Sequence, residues 1–348
     1  MTTGRYRPAG TRIQYRHPID MLAGRTHFLD HLAAIWQALP ADRRGTFWIR
    51  REMEEHAAKR GIMGTVLEPF VNPPGSGPVV VSAYSDLERV ATRPRPLILM
   101  EHGCGLSFPQ HHAGYAGGEG LRAQVGLFIA PNEITAAKTG QTYPYAPQVV
   151  AGTPKLDRWH RAPGKAPDDP PTVAISFHWE SRICPEAGNA WAAMKSGIPA
   201  LAAAFPGLIG HGHPKIVAHL RPAYEAMGIA VEEDFEEVLR RADIYICDAS
   251  STLYEFASLD RPVVVMNSPA FRRQIHYGVR FWLYADVGVE CNRAEDLVGA
   301  VRRAIEDPPD QQFRRRAASA ALYPNAGHAA EVAAEGIVKH CEAQCQRT

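Results

Sequence analysis

The 348 residues predict an α/β protein of two similar halves, each a parallel sheet covered by helices. Three observations carry that expectation. Short β-branched runs alternate with amphipathic stretches along the chain, the pattern of strands joined by crossover helices. The segment 161–171 (RAPGKAPDDPP) breaks this pattern with a density of Pro, Gly and charge that suits a linker. The length is long for one domain and comfortable for two of roughly 150 residues. The expected division is an N-terminal α/β unit over 1–160, the linker over 161–171, a C-terminal α/β unit over 172–326, and a closing helix over 327–348 that packs back on the N-terminal unit.

In the first half, Arg12 to Tyr15 starts a strand and Thr26 to Leu39 reads as a helix, with Phe28, Leu32, Ile35, Trp36 and Leu39 at helical spacing. Thr46 to Ile49 is a short strand, and Arg51 to Lys59 a helix closed by Gly61. Further strands fall at Pro78 to Ser82, Leu97 to Met100, Leu127 to Ala130 and Val149-Val150. The second half opens with the strand Thr172 to Phe177. Helices follow at Ala187 to Phe205, Lys215 to Met227, Asp234 to Ala242, Thr252 to Leu259, Ala294 to Ile305 and Gly327 to Cys341. Between them lie strands at Leu208 to Gly210, Ala230-Val231, Ile244 to Cys247, Pro262 to Met266 and Asp286 to Glu290.

Apolar residues make up 45% of the chain and charged residues 22%, so a packed core is expected throughout. Thirty-eight basic and 37 acidic side chains leave a net charge of +1, without the basic surplus of a protein that lives on a phosphate backbone. The cluster Arg43, Arg44, Arg50 and Arg51 reads as solvated surface. No run approaches the roughly 20 apolar residues of a membrane helix, and the N-terminus (MTTGRYRPAG) lacks the apolar core of a signal peptide, which points to the cytoplasm. The six cysteines (104, 184, 247, 291, 341 and 345) form no CxxC pair, so reduced thiols are expected rather than structural zinc.

The strongest chemical signal is IYICDASSTLYEFASLDRPVVV, Ile244 to Val265. A buried strand ends in Asp248, and a turn of small polar residues leads straight into a helix. Ser250, Ser251 and Thr252 thus open that helix, where unpaired backbone N–H groups and the dipole favour an anion. Such a turn, at the carboxyl end of a parallel strand, is where open α/β sheets bind ligands. Glu255, one turn on, is placed to accept hydrogen bonds from ribose hydroxyls. From spacing alone, a helix-capping Ser250 with a solvated Glu255 is an equally good account.

The segment DASSTLYEFASLDRPVVV resembles the donor-site motif of the CDP-glycerol glycerophosphotransferase-like family and, more distantly, that of the UDP-N-acetylglucosamine 2-epimerases. Three further stretches fall in the same order as in that family. Glu101-His102-Gly103 is similar to its Trp-His-Gly, Val150 to Asp157 (VAGTPKLD) to its Gly-x-Pro-x-x-Asp, and Gly210 to Pro214 (GHGHP) to its Arg-Pro-His-Pro. The resemblance implies a GT-B architecture, two Rossmann-like domains facing a cleft, with a nucleotide donor on the C-terminal domain and an acceptor on the N-terminal one. The sequence departs from the family at Glu101, at Cys104 to Ser107 and at His211, which opens the question of the acceptor and the transferred group.

His102 ends an apolar strand beside glycine, and imidazole titrates near neutrality, so it is the expected base for an acceptor hydroxyl. Glu101 or a second-domain carboxylate could orient it. His213 before Pro214, as a cation or as a neutral donor, is expected to bind the diphosphate and stabilise the leaving group. His211 is the weaker companion on the donor side, and a hydrogen-bonded structural role suits these histidines as well. Gly103 and His178 complete the acceptor side. Among Arg272, Arg273 and Arg280, the last is expected at the phosphates, since guanidinium groups suit them. Gly24-Arg25-Thr26-His27 opens the first helix, where the resemblance places acceptors. The pairs His111-His112 and His211/His213 lack a third ligand at a metal-site spacing.

The expected reaction is transfer of a glycosyl or glycerophosphoryl group from a CDP- or UDP-linked donor to an acceptor hydroxyl, without a metal or other cofactor. Competing readings are a UDP-sugar glycosyltransferase acting on a polymer such as hydroxylated DNA, a sugar-nucleotide 2-epimerase, and a non-catalytic nucleotide-sugar binding protein.

Overall fold

The computed structural model describes residues 18–90, 95–104, 123–180, 189–268 and 284–345. The expected strand at Arg12 to Tyr15, the His111-His112 pair, and Arg272, Arg273 and Arg280 lie outside them.

All thirteen strands among the described residues run parallel in two sheets. The first holds β1 (Ile19–Ala23), β2 (Arg44–Ile49), β3 (Thr65–Val66), β4 (Val79–Val81), β5 (Leu97–Met100), β6 (Val125–Ala130) and β7 (Gln148–Val150), in the order β3-β2-β1-β4-β5-β6-β7. The second holds β8 (Val173–Phe177), β9 (Ile209–Gly212), β10 (Ala230–Val231), β11 (Ile244–Cys247), β12 (Val263–Met266) and β13 (Val289–Cys291), in the order β10-β9-β8-β11-β12-β13. Each order reverses direction once, between β1 and β4 and between β8 and β11. Ligands of open parallel sheets bind beside such a reversal, at the carboxyl ends of the strands.

The helices are α1 (Thr26–Ala38), α2 (Glu54–Lys59), α3 (Tyr84–Val90), α4 (Glu133–Thr142), α5 (Asp157–Arg161), α6 (Trp191–Met194), α7 (Ile198–Ala204), α8 (Val217–Ala226), α9 (Phe235–Arg241), α10 (Ser251–Ala257), α11 (Leu297–Glu306), α12 (Pro309–Leu322) and α13 (Ala329–Cys345). The helix expected over 187–205 is broken, with a 3₁₀ turn at Lys195–Gly197 between α6 and α7. Strands β1 and β3 and helices α3, α4, α5 and α12 answer to no element read from the sequence. In β1 the cause is Asp20, a charge in a five-residue run. It is buried there because Arg95 Nη2 pairs with it at 2.9 Å and Thr46 N–H donates to it at 2.8 Å. Helix α12 hides its amphipathicity in the same way, since its inward face carries Arg315, buried against Asp260 (2.9 Å) and Asp307 (2.7 Å).

The apolar side chains of β1 alternate between the two faces of the sheet. Ile19, Met21 and Ala23 face the layer of α1, whereas Leu22 faces the opposite layer with Val79, Val81 and Leu99. The last helix, α13, belongs to that first layer, through Ala333, Ala334, Ile337 and Cys341. Its N-terminus is held by Asp157, whose carboxylate accepts the N–H groups of Ala329 (3.0 Å) and Ala330 (2.7 Å). Nearby Gly152 has φ +101, and a Cβ there would collide with the Pro324 carbonyl. Residues 150–157 thus form the seat on which the chain returns to the first sheet. Among the described residues no helix is long and apolar enough to cross a membrane, and Cys104, Cys247, Cys291 and Cys341 are buried and joined in no disulfide.

Candidate functional site

The two halves meet along the carboxyl ends of their strands. From the second sheet, β11 ends in Asp248, and its buried carboxylate accepts the N–H groups of His178 (2.8 Å), Ala190 (2.8 Å) and Ala249 (2.7 Å). Asp248 therefore ties the end of β8 to the turn before α10. Burial pushes its carboxyl up to about 6. Ser250 caps α10, its hydroxyl accepting from Thr252 N–H (3.3 Å) and from Thr252 Oγ1 (2.9 Å), and Thr252 Oγ1 also meets the Tyr245 hydroxyl at 2.9 Å.

Across from this turn, β5 ends in Glu101-His102-Gly103. Gly103 has φ +70, a left-handed conformation that favours glycine, and a Cβ there would lie 2.9 Å from Ser251 Oγ. The glycine of the first-sheet motif and the serine of the second-sheet motif are therefore in direct contact. Gly103 N–H donates to His31 Nε2 at 3.2 Å, and its carbonyl accepts from Thr153 Oγ1 at 3.3 Å. Glu101 is buried. Its Oε1 accepts the His102 N–H at 3.2 Å and lies 3.4 Å from His102 Nδ1, a charge contact that can orient the ring.

Glu255 is not a solvated first-turn acid. It is fully buried, and Lys155 Nζ, reaching over from the turn after β7, sits 2.7 Å from its Oε2. A charge pair thus joins the first-sheet motif at 150–157 to the helix that follows β11. The same seam holds His160 Nε2 against Ser258 Oγ at 2.9 Å. At its far end Arg60 bonds Asp30 of the first half (2.9 Å) together with Asp234 (3.2 Å) and Glu236 (2.9 Å) of the second, while Arg158 also pairs with Glu236.

Above this seam four histidines cluster. The ring centroid of His213 lies 5.3 Å from His178 and 5.9 Å from His27, and His27 lies 6.1 Å from His102. His102 also packs edge-on to Phe28 at 5.1 Å, with His31 at 6.3 Å. Lys215 Nζ stands 3.4 Å above the Trp179 ring, which neighbours His213. Burial and the neighbours His178, His27 and Lys215 hold His213 far below the usual imidazole range. Its Nδ1 accepts the Lys215 N–H at 3.1 Å, which leaves the proton on Nε2. Of the two forms expected, the neutral donor is the one the site maintains. Burial and Lys155 likewise keep His27 and His31 low.

The structure thus brings together His102, Glu101, Gly103, His178, His213, Ser251 and Glu255. His211 stands differently. It is buried in β9, its Nδ1 2.7 Å from the Glu232 carbonyl and its ring against Phe235 at 5.7 Å, so its polar edge is already engaged. Lys155, His31 and Asn132 were not singled out from the sequence. Lys155 lay inside a recognised motif, and His31 is four residues from His27 on one helix face, so spacing could have found both. Asn132 bonds the carbonyls of Cys104 (2.6 Å) and Leu322 (3.3 Å), a role only the tertiary fold creates.

Comparison with known proteins bears on the fold and on the motifs of the second half. Residues 208–330 match the sequence family described as CDP-Glycerol:Poly(glycerophosphate) glycerophosphotransferase. That span contains His213 and the whole Ile244 to Val265 segment, and it bears out the resemblance read there. Among solved structures, the wall teichoic acid polymerase TagF superposes with a TM-score of 0.66 at 14% identity, over 95% of this chain and 90% of that one. A TagF variant with CDPG gives 0.62 at 12% identity, over 96% and 92%. The S. aureus MnaA-UDP co-structure gives 0.63 at 14% identity, over 95% and 97%. These likenesses establish the fold, which is GT-B as expected. No sequence among the curated proteins matches the chain.

Proposed function

We propose that this chain is a transferase that holds a CDP- or UDP-linked donor between its two sheets and moves a glycerophosphoryl or glycosyl group to an acceptor hydroxyl. One observation carries the reading. His102, at the carboxyl end of β5, and His213, following β9, come from opposite sheets, and both neighbour His27, which follows β1 at the first sheet's reversal. A base and a leaving-group donor facing each other across a donor site is what displacement at phosphorus or at an anomeric carbon requires. The family matched by residues 208–330 supports a CDP-linked donor, and glycerophosphoryl transfer is the preferred form of the reaction.

In this mechanism His102, oriented by Glu101, takes the proton of the acceptor hydroxyl as its oxygen attacks. In glycerophosphoryl transfer the attack falls on the β-phosphorus and the nucleoside monophosphate leaves. In glycosyl transfer it falls on the anomeric carbon and the diphosphate leaves. His213 donates from Nε2 to the departing phosphate, and Lys155, Lys215 and the start of α10 supply positive potential around it. This scheme uses no metal and no cofactor besides the donor. Glu255 accepts from the ribose once the donor separates it from Lys155.

A thermal-shift panel of CDP-glycerol, CDP, UDP, GDP and common UDP-sugars, followed by mass spectrometry with acceptor candidates, tests the reading. Stabilisation by a cytidine nucleotide with a transferred product supports it. An epimerised UDP-sugar identifies an epimerase instead, stabilisation without product a binding protein, and a panel with no stabilising nucleotide removes the donor site.

A further inference from the structure

Between the two histidines assigned to the reaction stands a third that the mechanism above leaves unused. His27 follows β1 at the point where the first sheet reverses its order, and it occupies the first turn of the 13-residue helix α1. Its ring lies 6.1 Å from that of His102 and 5.9 Å from that of His213, so it adjoins both the nucleophile side and the leaving-group side. Its Nδ1 is buried without a hydrogen-bond partner. Buried polar atoms are nearly always satisfied, and an orphan beside a reaction centre is an atom that a ligand can satisfy.

The surroundings define what His27 can offer. Lys155, Arg25 and Lys215 act on it from three segments, against Asp30 on its own helix, and with burial they push its imidazole down to about 3. A ring held neutral offers a hydrogen bond without a charge. It complements a polar oxygen lying between a base and a departing phosphate.

We propose that His27 contacts the transferred group itself, hydrogen-bonding one of its oxygens while His102 and His213 serve the acceptor and the leaving nucleotide. The inference rests on the transferase reading and adds to it a third substrate-contacting imidazole.

The test compares wild type with His27→Phe, His27→Asn and His27→Gln, using the donor found in the nucleotide panel. Three quantities are measured: donor affinity by calorimetry, single-turnover transfer rate, and melting temperature. His27→Phe keeps the ring's shape and removes its nitrogens. It should slow transfer by about 10²-fold, the usual effect of losing one preorganised donor, and weaken donor affinity as well, because the lost hydrogen bond is made to part of the donor. Asn places its amide where Nδ1 stands and Gln where Nε2 stands, so the faster of the two should recover about tenfold and identify the nitrogen in contact. If His27→Phe does not fold, His27→Ala replaces it. Wild-type transfer by the Phe or Ala variant, or amide variants no faster than it, overturns this inference alone. A wild-type chain that turns over no donor in the panel overturns the transferase reading, and the role of His27 falls with it.

Discussion

Lys155 and Glu255 pair across the seam with the carboxylate wholly out of solvent. Removing one partner of such a pair leaves a buried charge, which costs about 3–5 kcal/mol. Glu255→Ala should therefore lower stability by about that amount, and the double variant Lys155→Met/Glu255→Leu should restore most of it. Urea melts of the three proteins check this. In the same Glu255→Ala protein, nucleosides and nucleoside diphosphates should weaken together by about 1–3 kcal/mol if the carboxylate meets the ribose. A loss confined to the diphosphates contradicts that contact. The two histidines proposed for catalysis should separate on mutation. His102→Ala should slow the chemical step by about 10²–10⁴-fold with little change in donor affinity, because it acts on the acceptor. His213→Ala should reduce donor affinity and rate together. Turnover and donor affinity of both variants, measured side by side, decide the assignment. Near-wild-type turnover of His102→Ala leaves the mechanism without its base.

At the scale of elements, the junction that matters is the end of β5 against the start of α10. Gly103 adopts a positive φ and lies against Ser251, so the two loops can approach only because one of them has no side chain. The same closeness brings the N-terminus of α10 to the first sheet, and the proposed donor phosphate lies beside that contact. Ser251→Asp puts a negative charge at that position. It should abolish nucleotide-dependent stabilisation, while the folded protein persists because the Ser250 cap is untouched. Circular dichroism and thermal shift with the nucleotide panel check both halves of that statement. Unchanged nucleotide affinity in a folded Ser251→Asp protein removes this turn from the donor site.

At the scale of the whole molecule, the neutral histidines shape the response to pH. Burial with Lys155 and Arg25 holds His27 down to about 3, and burial lowers His31, His211 and His213 as well. In the unfolded chain these rings titrate near about 6.5. Below that pH the unfolded state binds more protons than the folded one. Stability is therefore present above about pH 6.5 and is lost as pH falls, by up to about 1.4 kcal/mol per histidine per pH unit. Asp86 and Asp248, pushed up to about 6 by burial, work in the opposite direction between 3.8 and about 6, since there the folded state holds their protons. Burial also lowers His160 and His340 and raises Asp157 and Glu236, so six imidazoles outweigh four carboxyls and urea melts should show a less stable protein at pH 5.5 than at pH 7.5. Equal or greater stability at pH 5.5 would mean that the cluster is charged when folded.

The sequence by itself determined the two parallel sheets, the strand–turn–helix at 244–257 and the candidate roles of His102 and His213. Each is written in local order: period-2 burial within a strand, small polar residues where a helix begins, an imidazole directly after an apolar run. Elements whose inward side carries a charge stayed hidden, as with Asp20 in β1 and Arg315 in α12. The signal that normally marks a buried face is absent there, and the compensating partners Arg95 and Asp260 are distant in sequence. The tertiary structure alone decided which groups meet across the seam. Lys155 finds Glu255 100 positions away, Arg60 finds Asp234 and Glu236, and His27 comes to stand between His102 and His213. Local pattern reports how one segment buries its own surface. The pairing of charges and imidazoles between two sheets depends on how those sheets are set against each other, and no single segment encodes that.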